Sequence, residues 1–206
     1  MEILFEPYKD YSTSHILLEL IAVLFAVVSV LYSKNNNIRV YPTGIISTLI
    51  FVYLLYKWEL FGDMIINAYY FIMSIYGWYL WSAISNNKPL LPITKLTRKD
   101  YQTSTLIFIF STIFVVSVYL YFEKFGVWWS YVDIFTTGLF FVGMYLLAKR
   151  KVEHWIFLII GDFISIPLYY FKGYTITSLL FLIYTVIAVL GYLEWKKIWN
   201  KENQTV

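Results

Sequence analysis

The chain has 206 residues, of which 60% are hydrophobic, 22% aromatic and only 14% charged, with a formal net charge of +3. A soluble domain carries roughly 25% charged residues, so this chain lacks the charge to cover a surface facing water and reads as an integral membrane protein. It has no cysteine, which excludes disulfides, thiolate metal sites and cysteine nucleophiles, and its basic residues are spread over short loops rather than gathered into a patch for nucleic acid.

The first stretch, MEILFEPYKDYSTSH, is acidic where a cleaved leader would be basic, and the apolar run after it is too long for a leader. It is expected to be retained as the first span. A spanning helix needs about 20 mostly apolar residues. In chain order the candidates are Ile16–Tyr32, Pro42–Tyr56, Met64–Ile84, Ser104–Phe122, Val132–Ala148, Trp155–Phe171 and Thr175–Leu193. They predict an all-α protein of seven transmembrane helices forming one domain over residues 1–206. The connection Ser85–Thr103 is the one long loop.

Twelve of the sixteen Lys and Arg follow helices one, three, five and seven: Lys34, Arg39, Lys88, Lys95, Arg98, Lys99, Lys149, Arg150, Lys151, Lys196, Lys197 and Lys201. Lys9, Lys57, Lys124 and Lys172 fall on the other side. Loops on the cytoplasmic side carry the basic excess, so the N-terminus is expected outside and the C-terminus inside.

Helix three ends in GWYLW (Gly77–Trp81) and helix seven in GYLEW (Gly191–Trp195). Coincidence in an aromatic-rich chain is one explanation. The other is a duplication: repeat one over about 14–84, a linker helix over about 104–122 and repeat two over about 132–195. Such a 3+1+3 plan puts both triplets in one orientation, as in transporters built from parallel repeats.

Polar groups inside spans are costly and face the bundle interior. On helix three, Asn67, Tyr70, Ser74, Gly77 and Trp81 recur at steps of three and four; on helix six, Asp162, Ser165 and Tyr169 do so. Helix seven places Thr177, Tyr184 and Gly191 seven apart, helix five has Asp133, Thr136, Thr137 and Phe140, and helix two has Ser47 and Thr48. Small residues at such spacing chiefly let helices approach. Asp133 starts its helix, where the dipole accounts for it. His15 and Glu19 read as an interfacial pair, and His154, beside basic residues, as solvated.

Asp162 is different. It lies about eight residues from either end of its span, and an ionised Asp at a helix centre costs about 2.5–3.5 kcal/mol on insertion scales. No Lys or Arg shares that depth, so the carboxyl is protonated, bonded to neighbours such as Tyr70, Tyr169 and Asn67, or met by a cation. There is no HExxH, Gly-rich phosphate loop or carboxylate pair on one helix, so an enzyme is not expected, nor a metal or cofactor. Twenty tyrosines and eight tryptophans instead suit a flat, cationic ring. A carrier would enclose a cavity lined by Tyr70, Trp78 or Trp81, Asp162 and Tyr169. Gly161, Pro167 and Gly173 are hinge candidates.

From Ile16 to Lys197 the chain resembles the PnuC-type vitamin transporters. The resemblance rests on YPTGIISTLIF, LFGDMIINAYY…YGWYLW, D-x-x-T (Asp133–Thr136), LLAKRK…W, SIPLYY and the final GYxxW. It implies a bacterial inner-membrane facilitator similar to the SWEET fold. Its substrate there would be nicotinamide riboside, trapped after uptake by a cytoplasmic kinase that need not bind the carrier. Riboside carriers have W-x-x-W in helix six followed by an asparagine. Here Trp155 matches the first tryptophan, Leu158 replaces the second, and Asp162 stands at the asparagine. Thiamine, also flat and cationic, is the alternative substrate; riboflavin, being neutral, fits less well. A packed scaffold or sensor without transport is the rival class. The expected binding set is Asp162, Asn67, Tyr70, Trp78, Trp81, Trp155, Ser165, Tyr169 and Tyr184. A homo-oligomer is compatible with the reading.

Overall fold

The computed structural model describes residues 13–58, 61–85, 88–89, 91–123 and 125–204. The stretch before residue 13, with Lys9, and Lys124 lie outside them. Seven helices follow one another: α1 (Thr13–Lys34), α2 (Val40–Lys57), α3 (Phe61–Ser82), α4 (Arg98–Tyr121), α5 (Trp129–Ala148), α6 (His154–Phe171) and α7 (Thr175–Gln204). A two-residue ribbon, β1 (Ile84–Ser85) with β2 (Lys88–Pro89), opens the long connection after α3. Each expected span is helical. Two boundaries moved: Ile84 pairs in β1, and Phe122 caps α4 from outside it. The last helix runs on well past Leu193, through Lys196 and Lys197.

Among the described residues, six helices are long and apolar enough to cross a membrane. The exception is α3, which has 22 residues but spends several on Asp63, Asn67 and its ring-bearing polar face. α4 starts at a capping box: the Thr97 amide donates to Asp100 at 2.8 Å and the Asp100 amide returns to the Thr97 hydroxyl. Large apolar side chains such as Leu20, Leu24, Phe110 and Ile113 point outward. On a soluble protein they would form adhesive patches; against lipid they face their own kind.

The helices close a ring. α1 packs on α2 and α7, α2 on α3, α3 on α5, α5 on α6, and α6 on α7. α4 stays outside this ring, against α5, and barely touches α3. The two triplets α1–α3 and α5–α7 therefore have matching contacts, each meeting the other through its first and last helix.

The match extends to side chains. Arg150 donates to the Asn36 side-chain oxygen at 2.9 Å across 114 residues. Both sit at positive φ just after α5 and α1, where the helices end in the same way: Asn37 N–H donates to Tyr32 O at 2.9 Å and Lys151 N–H to Leu146 O at 3.0 Å. The same offset of 114 relates Tyr41 to Trp155, Tyr70 to Tyr184, Gly77 to Gly191 and Trp81 to Trp195. Tyr41 meets Trp81 edge-on at 5.1 Å, and Trp155 meets Trp195 edge-on at 6.0 Å.

The two glycines explain how these rings fit. A Cβ at Gly77 would lie 2.3 Å from the Tyr41 ring, and one at Gly191 2.5 Å from the Trp155 ring. The tryptophan N–H groups then cross between triplets. Trp81 Nε1 donates to Ala148 O at the end of α5 (3.2 Å), and Trp195 Nε1 donates to Ser33 O near the end of α1 (2.9 Å).

Candidate functional site

Asp162 lies midway along α6 and is 6% exposed. Gly161 beside it lets α5 approach: a Cβ there would lie 2.7 Å from the Phe140 ring. One turn on, Ser165 is buried and its hydroxyl donates to Gly161 O at 2.8 Å. Tyr70 from α3 and Tyr184 from α7, mates under the 114-residue offset, both stand within electrostatic range of Asp162. Across that offset Asp162 itself corresponds to Thr48, whose hydroxyl bonds back to Gly44 O at 2.8 Å. No hydrogen bond or ion pair to the Asp162 carboxylate is found among the described residues, and every described Lys and Arg lies outside the seven apolar spans.

The expected binding residues therefore separate into groups. Tyr70 and Tyr184 stand within electrostatic range of Asp162, Ser165 lies one turn from it on α6, and Tyr169 stands within range of Tyr70. Tyr169 lies two turns further along α6, its ring 4.9 Å from Phe181 and beneath the Lys172 ammonium at 5.0 Å. Asn67 turns its amide back to Asp63 O at 3.0 Å, within its own helix. Trp81 and Trp155 are buried at the opposite, basic end, in the cluster of rings around Trp195. Trp78 is 43% exposed and looks away from the interior. Each residue turns a helix by about 100°, so Trp78 is rotated off the face that carries Tyr70, Ser74, Gly77 and Trp81.

Among the hinge candidates, Gly161 makes a close helix contact. Pro167 sits on an exposed face of α6, which runs on past it. Gly173, at φ +86° with open space around it, ends α6 in the left-handed conformation.

His154 departs from expectation. It is fully buried rather than solvated, with its ring 4.4 Å from Trp155 and 4.6 Å from Trp195. Its Nδ1 lies 2.7 Å from Lys151 O and so donates to it. The strand-like bridge of Thr94 with Lys151 folds the α3–α4 connection onto this turn. Arg150 completes the closure, donating to Leu91 O at 2.7 Å with its guanidinium 4.2 Å over Trp81. Burial pulls the Arg150 guanidinium below its ordinary value, and Tyr41 opposes that pull.

At the other end is a group that sequence reasoning did not assemble. The Asp133 carboxylate takes the Tyr119 hydroxyl at 3.0 Å and pairs with Lys172 on the same oxygen. Asp63 is within electrostatic range of both members of the pair. Helix-start stabilisation alone had seemed sufficient for Asp133; the ion pair adds a second reason. Nothing local signals it, since Lys172 is 39 residues away.

Of the open clefts, one of about 350 Å³ lies between α4, α5 and Tyr69, and one of about 410 Å³ beside Tyr79, Leu80 and Leu91. Neither reaches Asp162. Asp162 is buried in the conformation seen, with little of its surface accessible. No group of three or more metal-ligating side chains is found among the described residues.

Residues 16–197 match the family described as nicotinamide mononucleotide transporter. The nicotinamide riboside transporter PnuC of Escherichia coli (strain K12) is 24% identical over 183 residues, covering 78% of this chain and 77% of that one. The riboflavin/roseoflavin transporter RibM of Streptomyces davaonensis is 20% identical over 179 residues, covering 86% of this chain and 83% of that one. The crystal structure of the vitamin B3 transporter PnuC has a similar fold, with a TM-score of 0.67 and 21% identity, over 97% of this chain and 86% of the other.

Proposed function

We propose, from the premise that the chain belongs to the nicotinamide mononucleotide transporter family, that it carries a flat organic cation across the bacterial inner membrane, with nicotinamide riboside the first choice. It is a multi-pass vitamin transporter and not an enzyme. The finer reading rests on one observation: a buried mid-membrane carboxylate with no basic partner, flanked by two tyrosines. A cationic ring satisfies that arrangement twice, through the charge of Asp162 and through the faces of Tyr70 and Tyr184. A neutral isoalloxazine satisfies it once.

The plan we assign is a 3+1+3 arrangement with α4 as the linker and parallel repeats on either side. The matching contacts of the two triplets and the constant offset support it. Alternating access then means one triplet rocking against the other, with Gly173 and Pro167 as the points that bend. Orientation follows from charge: the end bearing Lys34, Arg39, Lys149 and Lys196 is cytoplasmic. There a kinase consuming the vitamin would hold the gradient without touching the carrier.

Thiamine is a second reading, favoured by Leu158 and Asp162 in helix six, where a riboside carrier has tryptophan and asparagine. Titrating the purified protein with nicotinamide riboside, thiamine and riboflavin while following its tryptophan emission separates the three. Asp162→Asn should weaken the preferred cation by about 1.5–3 kcal/mol, tenfold to a hundredfold. Unchanged affinity in that variant would remove Asp162 from the site.

A further inference from the structure

The carboxylate that meets the cation must be neutralised by something else when the cation is gone. We propose that Asp162 binds one proton in the empty carrier and releases it to water when the substrate binds, so that the protein exchanges one organic cation for one proton. The inference rests on the reading of Asp162 as the cation's partner and extends it to the unloaded half of the cycle.

The surroundings leave few other ways to balance the charge. α3 presents Tyr70 and α7 presents Tyr184, both neutral phenols, while Ser165 and Tyr169 come from α6 itself. α5 presents Phe140 through the gap at Gly161. The charged groups on these helices stand towards the two ends of the bundle. At one are Asp63 and Asp133, with Lys172 already paired to Asp133. At the other, on the last turns of α7, are Glu194, Lys196, Lys197, Lys201 and Glu202, where His154 is buried against Trp155 and Trp195. No described cation pairs with Asp162, and every described Lys and Arg lies outside the seven apolar spans. A bare carboxylate closed in this interior is the unfavourable state, so the carrier closes and reorients readily only with Asp162 protonated or loaded.

The cycle conserves charge at each step. On the outer side the protonated carboxyl releases H⁺ to water as the cation binds. The neutral complex closes and opens inward, the cation leaves, and the carboxylate takes H⁺ from the inner solution before returning. Each turn moves one cation in and one proton out. The membrane potential does no work on such an exchange, whereas a pH difference of one unit balances about a tenfold cation ratio. With an alkaline interior the free cation would not accumulate, so net uptake depends on a reaction inside that consumes it.

The test uses purified full-length protein with nicotinamide riboside and thiamine chloride as probes. Calorimetry in buffers of different ionisation enthalpy should count close to one proton released per cation bound. Below the carboxyl's titration the apparent Kd should rise about tenfold per pH unit. In proteoliposomes holding a trapped pH dye, external cation should turn the interior alkaline at a rate that a potassium–valinomycin potential leaves unchanged. Asp162→Asn should lose proton release, and Asp162→Glu should restore it with a shifted pH profile. Cation binding and transport with no proton movement, at a rate that follows the potential, would overturn the exchange while leaving the cation reading intact. Failure of wild-type protein to bind either cation at any pH would overturn both.

Discussion

Gly191 shows how much one missing side chain does. It lets the indole of Trp155 lie against α7, where a Cβ would approach to 2.5 Å. Gly191→Ala should therefore lower the melting temperature of the purified protein by the equivalent of about 1–3 kcal/mol, an overpacking cost. Gly126, with nothing within 4 Å of its Cβ position, serves as the control, and Gly126→Ala should melt with the wild type. Equal melting of all three would show that the ring and the helix do not meet in the membrane. At this scale the sequence was uneven. Asp162 stood out because a lone carboxylate interrupts an apolar run, and Tyr70 and Tyr184 because they fall on polar stripes. Trp78 did not announce its outward direction, since an indole is at home against lipid and against protein alike. His154 was misread because its neighbours in the chain are basic, while its neighbours in space are Trp155 and Trp195.

Among the helices, the crossed indole bonds are the contacts that any rocking of the triplets must disturb. Trp195→Phe keeps a ring but removes the donor to Ser33 O, and Trp81→Phe does the same at Ala148 O. Each should cost about 0.5–1.5 kcal/mol, read as a fall in melting temperature. The double variant should deviate from additivity, because Trp81 and Trp195 also touch at 5.8 Å. Strict additivity would mean that the two bonds report on separate joints. Six helices were legible because an apolar run of sufficient length leaves the backbone no other way to satisfy its own hydrogen bonds in lipid, and α3, less apolar, because its polar and ring-bearing residues recur at steps of three and four. The duplication was only half legible. Gly77–Trp81 and Gly191–Trp195 repeat the same letters. Tyr41 with Trp155, and Asn36 with Arg150, repeat a role in different letters. The partnership of Lys172 with Asp133 depends on how α5 meets α6, which no local pattern encodes.

For the molecule as a whole, the proposed orientation rests on charge, because the bundle geometry leaves it open. The chain has no cysteine, so single cysteines can be introduced without background. Lys95→Cys and Lys197→Cys should react with an impermeant thiol reagent only after cells are opened, and Lys57→Cys should react in intact cells. The reverse pattern would invert the assigned topology, together with the side from which substrate is thought to arrive.

The crossed tryptophans carry one further consequence, for how such a molecule is assembled. Each triplet offers one indole donor and one helix-end carbonyl to the other. Two identical triplets could satisfy each other in the same way, as a self-complementary pair about a twofold axis. A triplet has an odd number of spans, so joining two of them head to tail in one orientation takes one extra crossing. In the 3+1+3 plan we propose, α4, outside the ring and nearly free of α3, is that crossing, a tether that joins the two triplets in a single chain. On that plan halves joined in one chain are free to differ, and the offset that sets Asp162 opposite Thr48 marks where a single charge breaks the symmetry.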